Sequence, residues 1–441
     1  MAELKHFRNP EFSLWQSAVD EVVARGKAGG GAPAAGAGAT LSRPEATDAM
    51  VQAATLDLTA AQLGAPPPAP PTADAKPAGG STIPYCSTLA RKVAVAVLEG
   101  NHDDEARYRS ELGAFGVCDP RWIEAVQKYI DFQVSNGKVP YRVYQHIDDF
   151  VIDDRKILPD RARVAIVGDW GTGQEEARQV LAQIARKKPD VAIHLGDIYY
   201  SGTQFEVDNY FTQIWDALLP GVPSYTLSGN HDMFGGGQPY YNLVDKLGQP
   251  ASYFCLRNTA WQFIAVDTGL HDRKPSGSEP TYLEETEVDW VMDKIATAGG
   301  RQTILLSHHQ LFSAIEDIVP GQSMAVNSVL QRQLSPIFPT LTAWLWGHEH
   351  NLVIYEPYLG VLGRCIGHGA VPVGIDENLA VKHAEVPMKD LRLDKGEAFY
   401  VHGYAILDLD GPAATLGYYQ DTDESTPQFI EFFGAARAQV P

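Results

Sequence analysis

Residues 164–171, VAIVGDWG, show the pattern that decides the fold, an apolar run of strand length that ends directly at a metal-binding side chain. The same pattern occurs four more times with other polar side chains at the end of the run. The five motifs are Gly168-Asp169-Trp170-Gly171, Gly196-Asp197-Ile198-Tyr199-Tyr200, Gly229-Asn230-His231-Asp232, Ser307-His308-His309 and Gly347-His348-Glu349-His350. We interpret the apolar runs before them as buried parallel strands of an α/β protein.

The five motifs are predicted to lie together. In an open α/β sheet, ligands bind in the crevice beyond the carboxyl ends of the strands, so five strands deliver their side chains to one place. The donors are oxygen and imidazole groups without any thiolate. This combination favours Fe, Mn or Zn in a reactive site rather than a structural zinc site of the Cys type.

Length, net charge and cysteine spacing limit the domain size, the partners and the disulfide content that we expect of this protein. The chain has 441 residues with 44% hydrophobic content, which is long enough for one large domain and an appendage. Lys and Arg total 35 against 55 for Asp and Glu, so the net charge is −20 and we expect no duplex nucleic acid as a partner. The four cysteines lack CxxC spacing, which indicates reduced thiols rather than a disulfide framework.

The beginning of the sequence has no apolar signal-peptide region, and no later apolar run reaches the length of a membrane span. We therefore expect a cytoplasmic protein without a membrane span. The sequence leaves export and the oligomeric state open.

The chain divides by composition into five parts. Residues 1–26 predict an N-terminal helix, and residues 27–81 are an Ala/Gly/Pro-rich linker that cannot offset its ordering entropy by burial. Residues 82–160 predict a small helical cap or docking region, with helices at 87–98, 103–113 and 120–135. Alternating strands and helices place the catalytic domain at 161–420, followed by a C-terminal tail at 421–441.

The order of the five motifs resembles that of the calcineurin-like metallophosphoesterases. In that superfamily the first motif usually carries a His two residues after its Asp, where this chain has Gly171. Purple acid phosphatases lack the same His and supply a Tyr three residues after the Asp of the second motif, where this chain has Tyr200. The resemblance covers residues 163–420. It implies an α/β fold, a four-layer αββα metallophosphoesterase sandwich, here with a small helical N-terminal region.

The resemblance also implies two metal ions, Fe(III) and a divalent Fe, Zn or Mn ion. Asp197 is implied as the carboxylate that bridges them. The ligands implied to complete the Fe(III) position are Asp169, Tyr200 and His350, and those implied for the divalent position are Asn230, His308 and His348.

His231 is implied to contact the phosphate or the leaving group rather than a metal, with Asp232 orienting its ring. An imidazole near its ordinary pKa can donate a proton to a departing alkoxide at mildly acidic pH. Three further residues are predicted to reach the substrate pocket: His309, His368 and Tyr240. A second Gly-Asn-His-Asp tetrad, at residues 100–103, is interpreted as the end of a helix rather than a site.

We therefore expect an enzyme that hydrolyses small phosphate monoesters directly, without a phosphoenzyme. One alternative is a phosphodiesterase or nucleotide hydrolase that uses the same residues. Another, of a different class, is a protein that binds a phosphorylated ligand without catalysis. A complete ligand set argues against the last, since a binding protein has no need to keep every donor.

Overall fold

The structure is a computed structural model that describes residues 139–434 apart from 273–278, 376–379, 390 and 398, together with 100–114 and short stretches between 13 and 97. The chain forms two compact units, Met1–Lys138 and Val139–Pro441. In the first unit the described residues within the helices predicted at 1–26 and 87–98 are helical, and α1 (His102–Ala114) matches the helix predicted at 103–113. The predicted linker at 27–81 and helix at 120–135 lie outside the described residues.

The second unit contains two β-sheets. The strands, in chain order, are β1 (Val151–Ile152), β2 (Arg161–Val167), β3 (Val191–His194), β4 (Ser224–Thr226), β5 (Phe254–Arg257), β6 (Trp261–Ala265), β7 (Gln302–Leu306), β8 (Leu341–Trp346), β9 (Leu352–Ile354), β10 (Gly363–Ile366), β11 (Gly403–Asp410), β12 (Ala413–Gln420) and β13 (Phe429–Phe433). One sheet has the order β13-β12-β11-β2-β3-β4 and the other β1-β5-β6-β7-β8-β10-β9. The five motif strands are therefore divided between two sheets.

Each group of motif strands is parallel within its own sheet. β2, β3 and β4 pair in parallel in the first sheet, and β7 pairs in parallel with β8 in the second. The residues of these strands are almost all buried, as their continuous apolar sequence predicts. Antiparallel pairs complete the sheets at β5–β6, β9–β10 and β11–β12.

Helices pack on both sheets, and a short helix begins at the third motif. They are α2 (Glu175–Arg186), α3 (segments Gln204–Glu206, Val207–Thr212 and Gln213–Leu218), α4 (Asn230–Phe234), α5 (Gln238–Lys246), α6 (Glu285–Ala296) and α7 (Ser328–Leu334). Apolar residues of α2 and α3 pack on the first sheet, whereas those of α6 and α7 pack on the second. The expected four-layer αββα arrangement is confirmed. No helix among the described residues is long and apolar enough to cross a membrane.

Two boundaries differ from those expected. Residues 139–160 belong to the second unit, because β1 pairs with β5 and Tyr141 donates a hydrogen bond to Glu287 Oε2 at 2.9 Å. The expected C-terminal tail contains β13, which forms the edge of the first sheet. The strand β1 has two residues and β13 is half-buried and exposed in alternation, so the sequence alone did not show that these segments pair with distant strands.

A buried ion pair joins the two sheets. Arg364 of β10 makes a two-pronged contact with Glu431 of β13, in which Nε lies 2.7 Å from Oε1. The hydroxyl of Tyr418 donates to the same Oε1 at 2.7 Å. Only 3% of the Arg364 side chain and 12% of the Glu431 side chain are exposed, so solvent cannot replace a lost partner.

We expect Glu431→Ala to lower the free energy of unfolding by about 3–5 kcal/mol, because it leaves an uncompensated guanidinium in the interior. Urea unfolding followed by circular dichroism measures this change. Glu424→Ala is the matched control, since Glu424 pairs with Arg186 where 58% of the Arg and 42% of the Glu side chain are exposed. That pair is worth about 0–1 kcal/mol. Equal losses in the two variants would contradict the assignment of Arg364–Glu431 as a bridge between the sheets.

Candidate metal centre

The ends of the five motif strands meet where the two sheets face each other. Glycines permit this close approach, because a Cβ at Gly347 would lie 2.6 Å from Asp169 Oδ2 and one at Gly168 would lie 2.7 Å from Ile366 O. Four of the predicted ligands also adopt the left-handed backbone conformation: Asp169 (φ 55°), Asp197 (φ 75°), His348 (φ 68°) and His350 (φ 50°). Such conformations are costly for residues other than glycine and cluster at functional sites.

One group of side chains surrounds the hydroxyl of Tyr199. This oxygen lies 2.8 Å from Asp169 Oδ1 and 2.9 Å from His350 Nε2. It also lies 3.0 Å from Asp197 Oδ2. The group combines a phenol, an imidazole and two carboxylates within a buried region.

A second group of side chains surrounds His308 Nε2. This nitrogen lies 3.2 Å from both Asn230 Oδ1 and His348 Nδ1, and the latter two atoms are 3.1 Å apart. Asp197 Oδ2 lies 3.3 Å from the same nitrogen. A single oxygen of Asp197 therefore touches both groups.

The donor atoms of these groups fit a metal better than they fit one another. His308 Nδ1 donates to the carbonyl of Leu195 at 2.9 Å, so Nε2 is the nitrogen that faces the other donors of the group. Burial alone would lower the pKa of His308, but the contact with Asp197 outweighs it and raises that pKa to about 9. Burial would likewise raise the pKa of Asp197, yet His308 and the other His residues nearby hold it low. The site thus attracts positive charge, and its oxygen and imidazole donors suit Fe, Zn or Mn.

His231 lies beside the two groups. Its Nδ1 donates to the carbonyl of Tyr200 at 2.6 Å, and its backbone N–H donates to Asp197 Oδ1 at 3.0 Å. Its Nε2 lies 4.0 Å from Asp197 Oδ2, with the rings of Tyr199 and Phe234 packed against the imidazole. Burial lowers the pKa of His231, an effect that Asp197 opposes.

Asp232 does not orient the ring of His231 in the way that the resemblance implied. Its carboxylate accepts backbone N–H bonds from Gly229 at 2.8 Å, Asp197 at 2.9 Å and Ile198 at 3.2 Å. Asp232 therefore fixes the second motif against the third, because these N–H groups belong to both. The carbonyl of Tyr200 takes over the orientation of the imidazole.

The structure favours Tyr199 over the predicted Tyr200 as the phenol of the site. Tyr200 contributes its backbone, since its carbonyl accepts from His231 and its N–H donates to Glu206 Oε1 at 2.5 Å. The buried carboxylate of Glu206 also accepts the N–H groups of Ser201 and Thr203, and so shapes the turn after β3. The spacing within the second motif implied Tyr200, whereas the structure places the hydroxyl of the adjacent Tyr199 among the donors.

The three residues predicted to reach the substrate pocket are buried and lie against other protein groups. Tyr240 is fully buried, and its hydroxyl donates to the carbonyl of Thr226 at 3.1 Å. His368 is buried against β11, where a Cβ at Gly403 would lie 2.6 Å from its Nε2, and burial lowers its pKa to about 3. His309 holds Thr268 and Asp272 through its two ring nitrogens. The rings of Tyr240 and His309 contact neighbouring backbone or loop atoms, and the role of the three residues in substrate binding stays a prediction.

The second Gly-Asn-His-Asp tetrad is a helix boundary, as interpreted from the sequence. Gly100 has φ 67° and its N–H donates to the carbonyl of Val97, which ends the preceding helical stretch. The side chain of Asn101 accepts the backbone N–H of Asp104 at 3.2 Å and so caps α1. The side chain of His102 is 89% exposed.

Comparisons with known proteins agree with this geometry. Residues 162–352 match the family model of the calcineurin-like phosphoesterases. The chain is 25% identical over 299 residues to tartrate-resistant acid phosphatase type 5 of Homo sapiens, covering 60% of this chain and 88% of that protein. It is 27% identical over 176 residues to the 3',5'-cyclic adenosine monophosphate phosphodiesterase CpdA of Pseudomonas aeruginosa, covering 39% and 59%.

Among solved structures, the chain is similar to a purple acid phosphatase from yellow lupin (Lupinus luteus) seeds. The TM-score is 0.46 at 15% identity, over 62% of this chain and 54% of that one. The family match and the acid phosphatase relatives confirm the resemblance seen in the motifs. Residues 162–352 form a calcineurin-like phosphoesterase domain, and the chain is a hydrolase of phosphoric esters.

Proposed function

We propose that this protein hydrolyses small phosphate monoesters at a dinuclear centre of Fe(III) and a divalent Fe, Zn or Mn ion. The observation that carries the proposal is the position of Asp197 Oδ2, which lies 3.0 Å from the hydroxyl of Tyr199 and 3.3 Å from His308 Nε2. Two ions about 3.5–4 Å apart need a shared anion, and this oxygen touches both groups of donors. The acid phosphatase relatives support a monoester substrate.

The two groups divide the ligands between the two ions. Asp169, Tyr199 and His350 would hold Fe(III), because a phenolate is a hard anionic donor that suits a trivalent ion. Asn230, His308 and His348 would hold the divalent ion, and Asp197 would bridge. When bound, the ions neutralise charge on the phosphoryl oxygens and lower the pKa of water.

His231 is proposed to deliver the proton that the leaving group needs. Its Nδ1 proton is held by the carbonyl of Tyr200, so Nε2 is the atom that faces the site and would carry the transferred proton. The rings of Tyr199 and Phe234 confine the imidazole to one orientation. Asp232 supports this arrangement indirectly, by holding the two motifs that flank it.

Phosphodiester or nucleotide hydrolysis is the second candidate, and the similarity to a cyclic nucleotide phosphodiesterase favours it. A panel of aryl monoesters, aryl diesters and nucleotides distinguishes the two candidates by their kcat/KM values. Full metal loading without turnover of any ester would instead indicate a protein that only binds phosphorylated ligands.

Colour tests the metal assignment. A phenolate bound to Fe(III) gives a ligand-to-metal charge-transfer band, so we expect the oxidised protein to be pink to purple. Tyr199→Phe should remove the visible band, whereas Tyr200→Phe should retain it, because Tyr200 contributes backbone atoms to the site. Visible absorption spectra of the two iron-loaded variants measure the intensity of this band. A band that survives in Tyr199→Phe and is lost in Tyr200→Phe would return the assignment to Tyr200.

A further inference from the structure

One loop contacts the chain segments on two sides of the second ligand group, next to Asn230 on one side and next to His308 on the other. This support loop, residues 267–272, follows β6 and contains Asp267, Thr268, Gly269 and Asp272. Toward Asn230, the carboxylate of Asp267 accepts a hydrogen bond from the hydroxyl of Ser228. A Cβ at Gly269 would lie 2.6 Å from the carbonyl oxygen of Gly229, so the loop presses on the backbone that leads into Asn230.

On its other side the support loop holds the ring of His309. Thr268 Oγ1 lies 3.0 Å from both the backbone N–H and Nδ1 of His309, and Asp272 Oδ2 lies 3.0 Å from Nε2. Thr268 Oγ1 accepts the backbone N–H, and its own proton is available to Nδ1. Nε2 then carries the ring proton and donates it to Asp272. One neutral tautomer satisfies every contact.

The fixed ring of His309 is packed against the metal-binding imidazoles. Its centroid lies 4.5 Å from that of His348 and 4.8 Å from that of His308. His309 therefore packs against both imidazoles while its own two nitrogens contact the support loop. Hydrogen-bonded groups behind metal ligands fix ring orientation and tune metal affinity.

The support loop is itself anchored to the second sheet and its helices. The backbone N–H of Asp267 donates to Glu287 Oε1 of α6 at 2.8 Å. The hydroxyl of Thr281 donates to the carbonyl of Thr268 at 2.6 Å. These two bonds attach the loop to α6 and to the segment that precedes it.

We propose that Asp272, acting through His309, positions the ligand group Asn230, His308 and His348 and sets its affinity for the divalent ion. The inference rests on the proposed two-ion function. It concerns one of the two metal positions, because the ring of His309 packs on His308 and His348, whereas in the other group Tyr199 Oη connects Asp169 to His350. Asp272 is thus a positioning residue whose removal should affect the divalent position and leave the Fe(III) position unchanged.

The test measures the two metal positions separately in the full-length protein. Asp272→Ala should weaken binding of Zn²⁺ about 10- to 100-fold in a competition titration with a chelator, while the charge-transfer band of the Fe(III) position stays at its wild-type intensity. Asp272→Asn, which keeps an acceptor for His309, should recover most of the affinity. Glu284→Gln is the matched control. Glu284 accepts from the neighbouring His271 at 2.9 Å, and that ring stacks on Tyr282 instead of a ligand.

Thr268→Val gives an independent variant of the same contact, which replaces the hydroxyl without changing the shape of the side chain. It should weaken Zn²⁺ binding in the same direction as Asp272→Ala. Wild-type Zn²⁺ affinity in both variants would overturn the inference, and so would an equal loss of Zn²⁺ and of the coloured iron. A wild-type protein that binds no second ion would instead refute the proposed function itself.

Discussion

Asp197→Ala is expected to bind neither metal ion and to lose measurable phosphatase turnover. Asp197 Oδ2 touches both the Tyr199 hydroxyl and His308 Nε2, so its removal takes a donor from each position and the shared anion between them. Elemental analysis of the purified protein gives the number of ions per chain, and a generic aryl phosphate gives kcat. Circular dichroism confirms that the variant is folded.

Asn230→Ala provides the contrast within the same site. Asn230 Oδ1 contacts His308 and His348 of the second group, so this variant should lose the divalent ion and keep the coloured iron. The two variants should therefore differ in iron content and in colour. Two ions per chain in Asp197→Ala would contradict the bridging role.

The second large effect is expected from His231→Ala. It should keep both ions but lower kcat by about 10²- to 10⁴-fold, the range usual for loss of a general acid. The structure supports this separation, because the contacts of His231 are to the carbonyl of Tyr200 and, through its backbone, to Asp197 Oδ1. Metal content and kcat are measured on the same preparation.

The chain offers a matched control in its second Gly-Asn-His-Asp tetrad. His102 stands in the same local sequence, but its side chain is 89% exposed at the start of α1. His102→Ala should leave kcat within about twofold of wild type, because exposed substitutions away from a site have small effects. Loss of metal from His231→Ala would make His231 a ligand and refute the acid role.

The choice of leaving group in the substrate provides a second test of the proposed acid role of His231. An alkyl ester releases a basic alkoxide that needs a proton, whereas a nitrophenyl ester releases a stable anion. His231→Ala should therefore lose more activity on alkyl phosphates than on nitrophenyl phosphate. Equal losses on both substrates would indicate that the imidazole binds the phosphoryl group instead of protonating the leaving group.

Much of the site could be predicted from the sequence because its donors directly follow buried strands. The runs before Asp169 and His308 are apolar throughout, which indicates burial, and the carboxyl end of a buried strand fixes where the next residue lies. The position of Asn230 at the start of α4 follows from the same reasoning. The division of these strands between two sheets was not visible in any single motif, because each strand has the same local pattern in either sheet.

The sequence by itself determined which donors are available, the order in which they occur and the superfamily that their pattern resembles. Only the tertiary structure decided which side chain of a pair lies among the donors. Tyr199 and Tyr200 are adjacent residues of the same type. The turn held by Glu206 directs the hydroxyl of Tyr199 to Asp169 and the carbonyl of Tyr200 to His231. Asp232 and His309 likewise acquire their partners from residues 35 and 37 positions away, Asp197 and Asp272. Side-chain direction and contacts between distant segments are set by packing, which local sequence patterns do not encode.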